Sequence, residues 1–199
     1  MYRTFAPVLT GLMLLTTALA ASAGPDEPNP GDAFWNHLSD LCGKAFAGEM
    51  TGFSRPSDDG WLDREVVMHV RECSDEEIRI PLHVGDNRSR TWIVSRTADG
   101  FRLKHDHRHA DGSEETVTWY GGHTTDPGRS WRQTFPVDDF SKALFLANDL
   151  EVSVGNFWSM EVHPGEKFAY ELVRTGRVFR AEFDLTNPVE APPAPWGHE

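Results

Sequence analysis

The sequence predicts a mainly β domain: an antiparallel up-and-down β-barrel of about nine or ten strands, preceded by a short helix. Two observations carry that expectation. From Gly43 onward, segments of alternating polar and apolar residues are separated at short intervals by turn signals, among them Asp99-Gly100, Asp111-Gly112, His163-Pro164-Gly165 and Thr175-Gly176. The partners those turns bring opposite one another are also chemically matched, which is what stabilises a paired strand. Strands joined in sequential hairpins leave two free edges, and closing the sheet on itself removes both. An open twisted sheet or a β-sandwich is the alternative arrangement of the same strands.

Residues 1–23 stand apart. Arg3 gives a short basic start, Val8–Ala20 an apolar run, and Ala21-Ser22-Ala23 a small-residue cleavage site. Together they read as a secretory signal peptide, too short and too weakly flanked for a membrane anchor. Residues 24–31, GPDEPNPG, form a Pro-rich linker. Asp32 is placed to cap a helix over Ala33–Leu41, with Phe34, Leu38 and Leu41 sharing one face.

A strand over Gly43–Gly52 then pairs across the long loop Phe53–Arg64 with a strand over Glu65–Cys73. Setting Met50 opposite Glu65 brings Cys42 opposite Cys73, and an even pair of cysteines in a secreted chain predicts a disulfide. The loop Ser74–Glu77 sets Glu72 against Arg79. It puts Val67, His69, Arg71 and Cys73 on one face with Ile78, Ile80, Leu82 and Val84.

The Asp99-Gly100 turn sets Val94, Trp92 and Arg90 opposite His105, His107 and His109. The Asp111-Gly112 turn sets Arg108 against Glu115, Lys104 against Trp119 and Leu103 against Tyr120. A second short helix is expected over Asp138–Leu146, with Phe140, Leu144 and Phe145 inward. The His163-Pro164-Gly165 loop pairs Met160 with Phe168 and Trp158 with Tyr170. Thr175-Gly176 gives the cleanest hairpin, with Glu171–Arg180 and Lys167–Asp184 outside and Phe168–Phe183 and Leu172–Phe179 inside. The domain is therefore read as residues 32–187, and residues 188–199 as an extended, mobile Pro-rich tail.

Two resemblances accompany this reading. In architecture, and in the opening LCGKAFAG (41–48), the chain resembles the lipocalin and fatty-acid-binding, or calycin, barrels; the tryptophan usual after their first-strand glycine is absent. The runs LCGKAFAG, HVGDNRSRTW (83–92), LKHDHRHADG (103–112) and WYGG (119–122) also resemble those of a family of uncharacterised secreted bacterial proteins, over Trp35–Leu185. That resemblance implies a secreted single domain and assigns no activity and no site residue.

Charge narrows the partners. The net charge is −12, and −13 once residues 1–23 with their single basic residue are removed. Nucleic acids and anionic membranes are held largely through Lys and Arg, so neither is an expected partner. Oligomeric state is left open. The registers gather Arg90, Trp92, His105, His107, Thr118 and Tyr120 on the inner face, with Arg71 on the inner face of the preceding hairpin and Lys104, Asp106 and Arg108 outside. A concave face that mixes aromatic area with a few polar groups is what a small-molecule site needs, and inward arginines suit an anionic or amphipathic ligand.

The alternative is a metal-dependent enzyme. His105, His107 and His109 lie about 6.6 Å apart in sequence order along one side of a strand, and three imidazoles plus water can hold zinc or another transition metal in an open site. The plainer reading makes these histidines structural, in an envelope-interaction module. No nucleophile elbow, zincin helix, P-loop or dinucleotide fingerprint is present, so no catalytic residue is assigned.

Overall fold

A computed structural model describes residues 29–52 and 60–198. The expected signal peptide, most of the linker and part of the Phe53–Arg64 loop lie outside the described residues. The chain runs α1 (Pro30–Ser39), β1 (Ala45–Gly52), β2 (Val66–His69), β3 (Glu72–Cys73), β4 (Glu77–Val84), β5 (Asn87–Thr97), β6 (Gly100–His107), β7 (Tyr120–His123) and β8 (Arg132–Pro136). It continues through α2 (Asp139–Leu146), a 3-10 turn (Glu151–Gly155), β9 (Phe157–His163), β10 (Lys167–Arg174) and β11 (Arg177–Val189).

Each long strand pairs with its neighbours in sequence, and β1 pairs with β11, so the sheet curls into an antiparallel barrel. The one weak junction is between β7 and β8. It is held by a bridge between Gly122 and Val137 and by the Asp138 N–H, which donates to the Gly121 carbonyl. Neighbouring backbones approach β7 closely on both sides: a Cβ on Gly122 would lie 1.9 Å from the Pro136 oxygen of β8, and one on Gly121 1.9 Å from the Leu103 oxygen of β6.

Helix α1 seals one end. Pro30 occupies the first turn, where no N–H is needed. Asn29 caps the helix through Gly31 N–H, while Asp32, the expected cap, pairs with Arg96 instead. Phe34 and Leu38 point into the barrel and are wholly buried. Trp35 stacks on Phe101, at the start of β6, with centroids 5.8 Å apart. The Cys42–Cys73 disulfide ties the segment after α1 to β3. A cross-link of sequence separation 31 contributes roughly 3–4 kcal/mol by limiting the unfolded chain.

Registers divide by how they miss. The β10–β11 hairpin pairs as expected throughout, Lys167 with Asp184 to Leu172 with Phe179. In β5–β6 and β9–β10 the register slides by two residues, so that Trp92 faces His105, Arg90 faces His107 and Met160 faces Tyr170. A slide of two preserves which face each side chain takes. The β2–β4 pairing slides by one, setting Val66 against Val84 and Met68 against Leu82, while β3 keeps Glu72 against Arg79. A bulge at Val70-Arg71 absorbs the difference. It turns Val66, Met68 and Val70 into the core and puts Val67 and His69 on the other face.

Three further expectations are corrected. Phe140 on α2 is 56% exposed, and Phe145 is the buried hydrophobic residue of that helix, beside Ser141, which bonds to Gly121. The Asp111-Gly112 hairpin closes only as far as a bridge from Arg108 to Glu114, after which residues 115–119 bulge, with Trp119 at φ 60°. Arg108 therefore pairs with Glu114 rather than Glu115, and Lys104 pairs with Asp138 rather than packing on Trp119. The C-terminal segment is extended but fastened. Arg88 donates to the Ala194 carbonyl, Trp196 N–H donates to the Arg88 carbonyl, and His198 Nε2 donates to Asp106 Oδ2 at 2.7 Å. Asp106 lies on the outer face as expected, yet it is buried beneath this segment and braced by Arg108.

Candidate functional site

At the end opposite α1 the barrel opens into a cavity of about 320 Å³. Its walls are Trp92 and Tyr170, stacked at 4.4 Å, with Phe179, Leu82 and Leu172 below and Trp61 across the mouth. Among the described residues, Arg90 and Arg177 are the charged residues of the lining and no carboxylate belongs to it. Arg90 sits over the Trp61 ring, 5.2 Å from its centroid, and one of its terminal nitrogens reaches Asn87 and Ser89 at 3.3 and 3.2 Å. Among the described residues no carboxylate pairs with it.

The polar floor is a set of imidazoles and phenols. His105 Nδ1 lies 3.0 Å from the Tyr120 carbonyl, which can only accept, so Nδ1 carries the proton and donates. Its Nε2 is then an acceptor, and the Tyr170 hydroxyl donates to it at 2.8 Å. Burial foremost, then the neighbouring His107, lowers His105 to about 3. His107 Nε2 lies 3.0 Å from the Tyr120 hydroxyl, and its Nδ1 faces Glu115 at 3.6 Å. Burial and then Arg90 lower His107 to about 4. Both imidazoles are neutral near pH 7. Burial raises Tyr120 to about 12 and Tyr170 well above its ordinary value, so both phenols keep their protons.

Alternation along two strands builds this arrangement. Arg90 and Trp92 project inward from β5, as do His105 and His107 from β6, because residues two apart share a face. Tyr120 joins them because β7 resumes pairing opposite His105 after the bulge, one slide of two from the expected register.

Of the expected ligand-lining residues, Arg90, Trp92, His105, His107 and Tyr120 are brought together. Thr118 is not: the bulge turns its hydroxyl to accept from His107 N–H and to approach Asp106 at 3.4 Å, behind the wall. Arg71 is not either. The Val70-Arg71 bulge places it near the tail, where it donates to the His198 carbonyl at 2.6 Å and faces Glu72 at 3.6 Å. The His105/His107/His109 set is not assembled. His109 is exposed at the turn, and both nitrogens of His105 are engaged. Among the described residues no group of three or more His, Cys, Asp or Glu side chains is placed to hold a metal ion.

Sequence reasoning missed Trp61, Leu82, Thr91, Tyr170, Leu172, Arg177 and Phe179 as lining residues. Tyr170, Leu172 and Phe179 carried a signal, since the hairpins turned them inward; what was lacking was the knowledge that β10 and β11 end at the same mouth as β5 and β6. Trp61, at the close of a long loop, carried none.

Among the described residues no helix is long and apolar enough to cross a membrane. Neither a family model, nor a curated protein, nor a solved structure matches the chain.

Proposed function

We propose that this chain is a secreted barrel that binds a small anionic ligand with an apolar, ring-sized body in the cavity opposite α1. One observation carries the reading. On a chain of net charge −12, the charged side chains among the described lining of an aromatic-walled cavity are guanidiniums, and Arg90 has no carboxylate partner among the described residues. A guanidinium held over an indole at the edge of a low-dielectric cavity favours a carboxylate or phosphate, which it can grip with two parallel hydrogen bonds. The cavity lies at the small end of the ~300–1,000 Å³ typical of small-molecule sites, which suits a ligand about the size of one substituted ring.

Secretion is supported by the apolar run Val8–Ala20, by the Ala21-Ser22-Ala23 cleavage pattern and by the Cys42–Cys73 disulfide, a bond favoured in oxidising compartments. The resemblance to secreted bacterial proteins accords with it.

Native mass spectrometry of untagged protein from its own host tests the reading, alongside tryptophan-fluorescence titration with aryl carboxylates and their neutral amides. The expected result is a retained or titratable acid whose binding falls at least tenfold in Arg90→Gln, with the amides much weaker. Acids and amides binding alike, or no binding of either and no retained mass, would overturn it.

A further inference from the structure

Building on the anion-binding reading, we infer that the cavity selects aromatic carboxylic acids that also carry an O–H or N–H donor, from which the Tyr120 phenol oxygen accepts.

The argument is one of hydrogen-bond polarity. A neutral imidazole has one donor and one acceptor, and its neighbours decide which nitrogen is which. For His107 the neighbour of Nδ1 is the Glu115 carboxylate at 3.6 Å, beyond hydrogen-bond reach, whose negative charge favours the proton on that nitrogen. Nδ1 therefore carries the proton, Nε2 is the acceptor, and the Tyr120 hydroxyl must spend its only hydrogen on it. That leaves the Tyr120 oxygen with a lone pair facing a cavity in which, among the described residues, no group donates to it.

Tyr170 differs. Its hydroxyl hydrogen goes to His105, and the residue is buried against the stacked Trp92 indole, whereas Tyr120 is only half-buried. The acceptor of the floor more open to a ligand is thus Tyr120, across from Arg90, whose strand position is directly opposite His107. A ligand filling an aromatic-walled cavity displaces the water that would otherwise serve that oxygen. A ligand without a donor leaves it unpaired, and a site built around a hydrogen bond discriminates strongly against such an analogue. An ether oxygen at the same place is worse, because it sets two acceptors against each other.

The opposite tautomer of His107 would reverse the selection. With Nε2 protonated, Tyr120 would accept from the imidazole and offer its own hydrogen to the ligand, so methoxy and keto acids would be preferred.

Isothermal titration of the full chain with phenylacetate, 3- and 4-hydroxyphenylacetate and the two matching methoxy acids separates these cases. The expected result is that at least one hydroxy acid binds about tenfold more tightly than phenylacetate and than its methoxy partner. In Tyr120→Phe that preference should vanish while phenylacetate binds as before. Equal affinities across the panel, a preference for the methoxy acids, or a hydroxyl preference that survives Tyr120→Phe would overturn this inference and leave the anion-binding reading standing. No binding by any of the five acids would overturn both. Should Tyr120→Phe not fold, the hydroxy-to-methoxy ratio in the unaltered protein decides alone.

Discussion

At the helix end of the barrel, Phe34, Leu38 and Phe101 close the interior with hydrocarbon, and Trp35 lies flat on Phe101. At the other end the same strands present Arg90, His105, His107 and Tyr120 around an unfilled space. Both ends belong to one continuous sheet and share strands β5 and β6, so the difference is not one of secondary structure. At the first end Phe34, Trp35, Leu38 and Phe101 belong to one apolar cluster. The second buries imidazoles and phenols that must be hydrogen-bonded to one another, because an unpaired polar group in such a place costs about 1–3 kcal/mol. A fold of this kind separates what holds it together from what it offers to a ligand.

The largest expected effect tests that separation. Phe34→Ala should lower stability by about 3–5 kcal/mol in urea unfolding, the cost of emptying a ring-sized space in a packed core. Arg90→Gln at the open end should change it by less than about 0.5 kcal/mol. Comparable losses from the two would show that the ends are not divided in this way.

A smaller effect concerns the wall between them. Asp106→Ala strips Arg108 and His198 of a carboxylate that is wholly buried, and should cost about 1–3 kcal/mol in the same measurement. A loss near zero would mean that the C-terminal segment contributes nothing to the outer wall.

The gentlest probe is pH. His105 is held at about 3, and His107 and His83 at about 4, in each case by burial first. Each is below the ordinary 6.5, so the unfolded chain takes up protons that the folded chain refuses. Stability from these groups is complete above about pH 6.5 and falls as pH drops towards 4. Each imidazole contributes a slope of up to about 1.4 kcal/mol per pH unit. Thermal unfolding between pH 7 and 4.5 should show this decline, and His105→Gln should flatten it. A melting temperature constant over that range would contradict the neutral, buried imidazoles of the open end.

The sequence was legible wherever its information is local and periodic. The β10–β11 hairpin was read residue by residue, and the inward faces of β5 and β6 survived a misplaced register because a slide of two leaves side chains on the same face. Arg71 and Thr118 were misplaced for the converse reason. Each lies at or beside a bulge, where a change of one residue reverses a face. Burial of Asp106 could not be read at all, because it depends on His198, 92 residues away in a segment with no periodic pattern. The same limit hid the full cavity, since the meeting of β5 and β6 with β10 and β11 at one mouth follows from closure of the sheet.

That closure rests on a narrow joint. If the barrel is regarded as a hoop of staves, every joint but one is a ladder of several backbone hydrogen bonds, and the last is a bridge at Gly122 beside one backbone bond from Asp138 to Gly121 and the Ser141 hydroxyl on the same residue. Neither position has room for even a methyl group. The hoop therefore has a built-in place to spring, and one alanine at Gly122, whose Cβ would meet the Pro136 oxygen, would part β7 from β8 while leaving the rest of the circumference intact. Two opened molecules would then each carry a pair of bare edges suited to the other's, so that loss of a single closure leads towards exchange of strands between neighbours before it leads to unfolding.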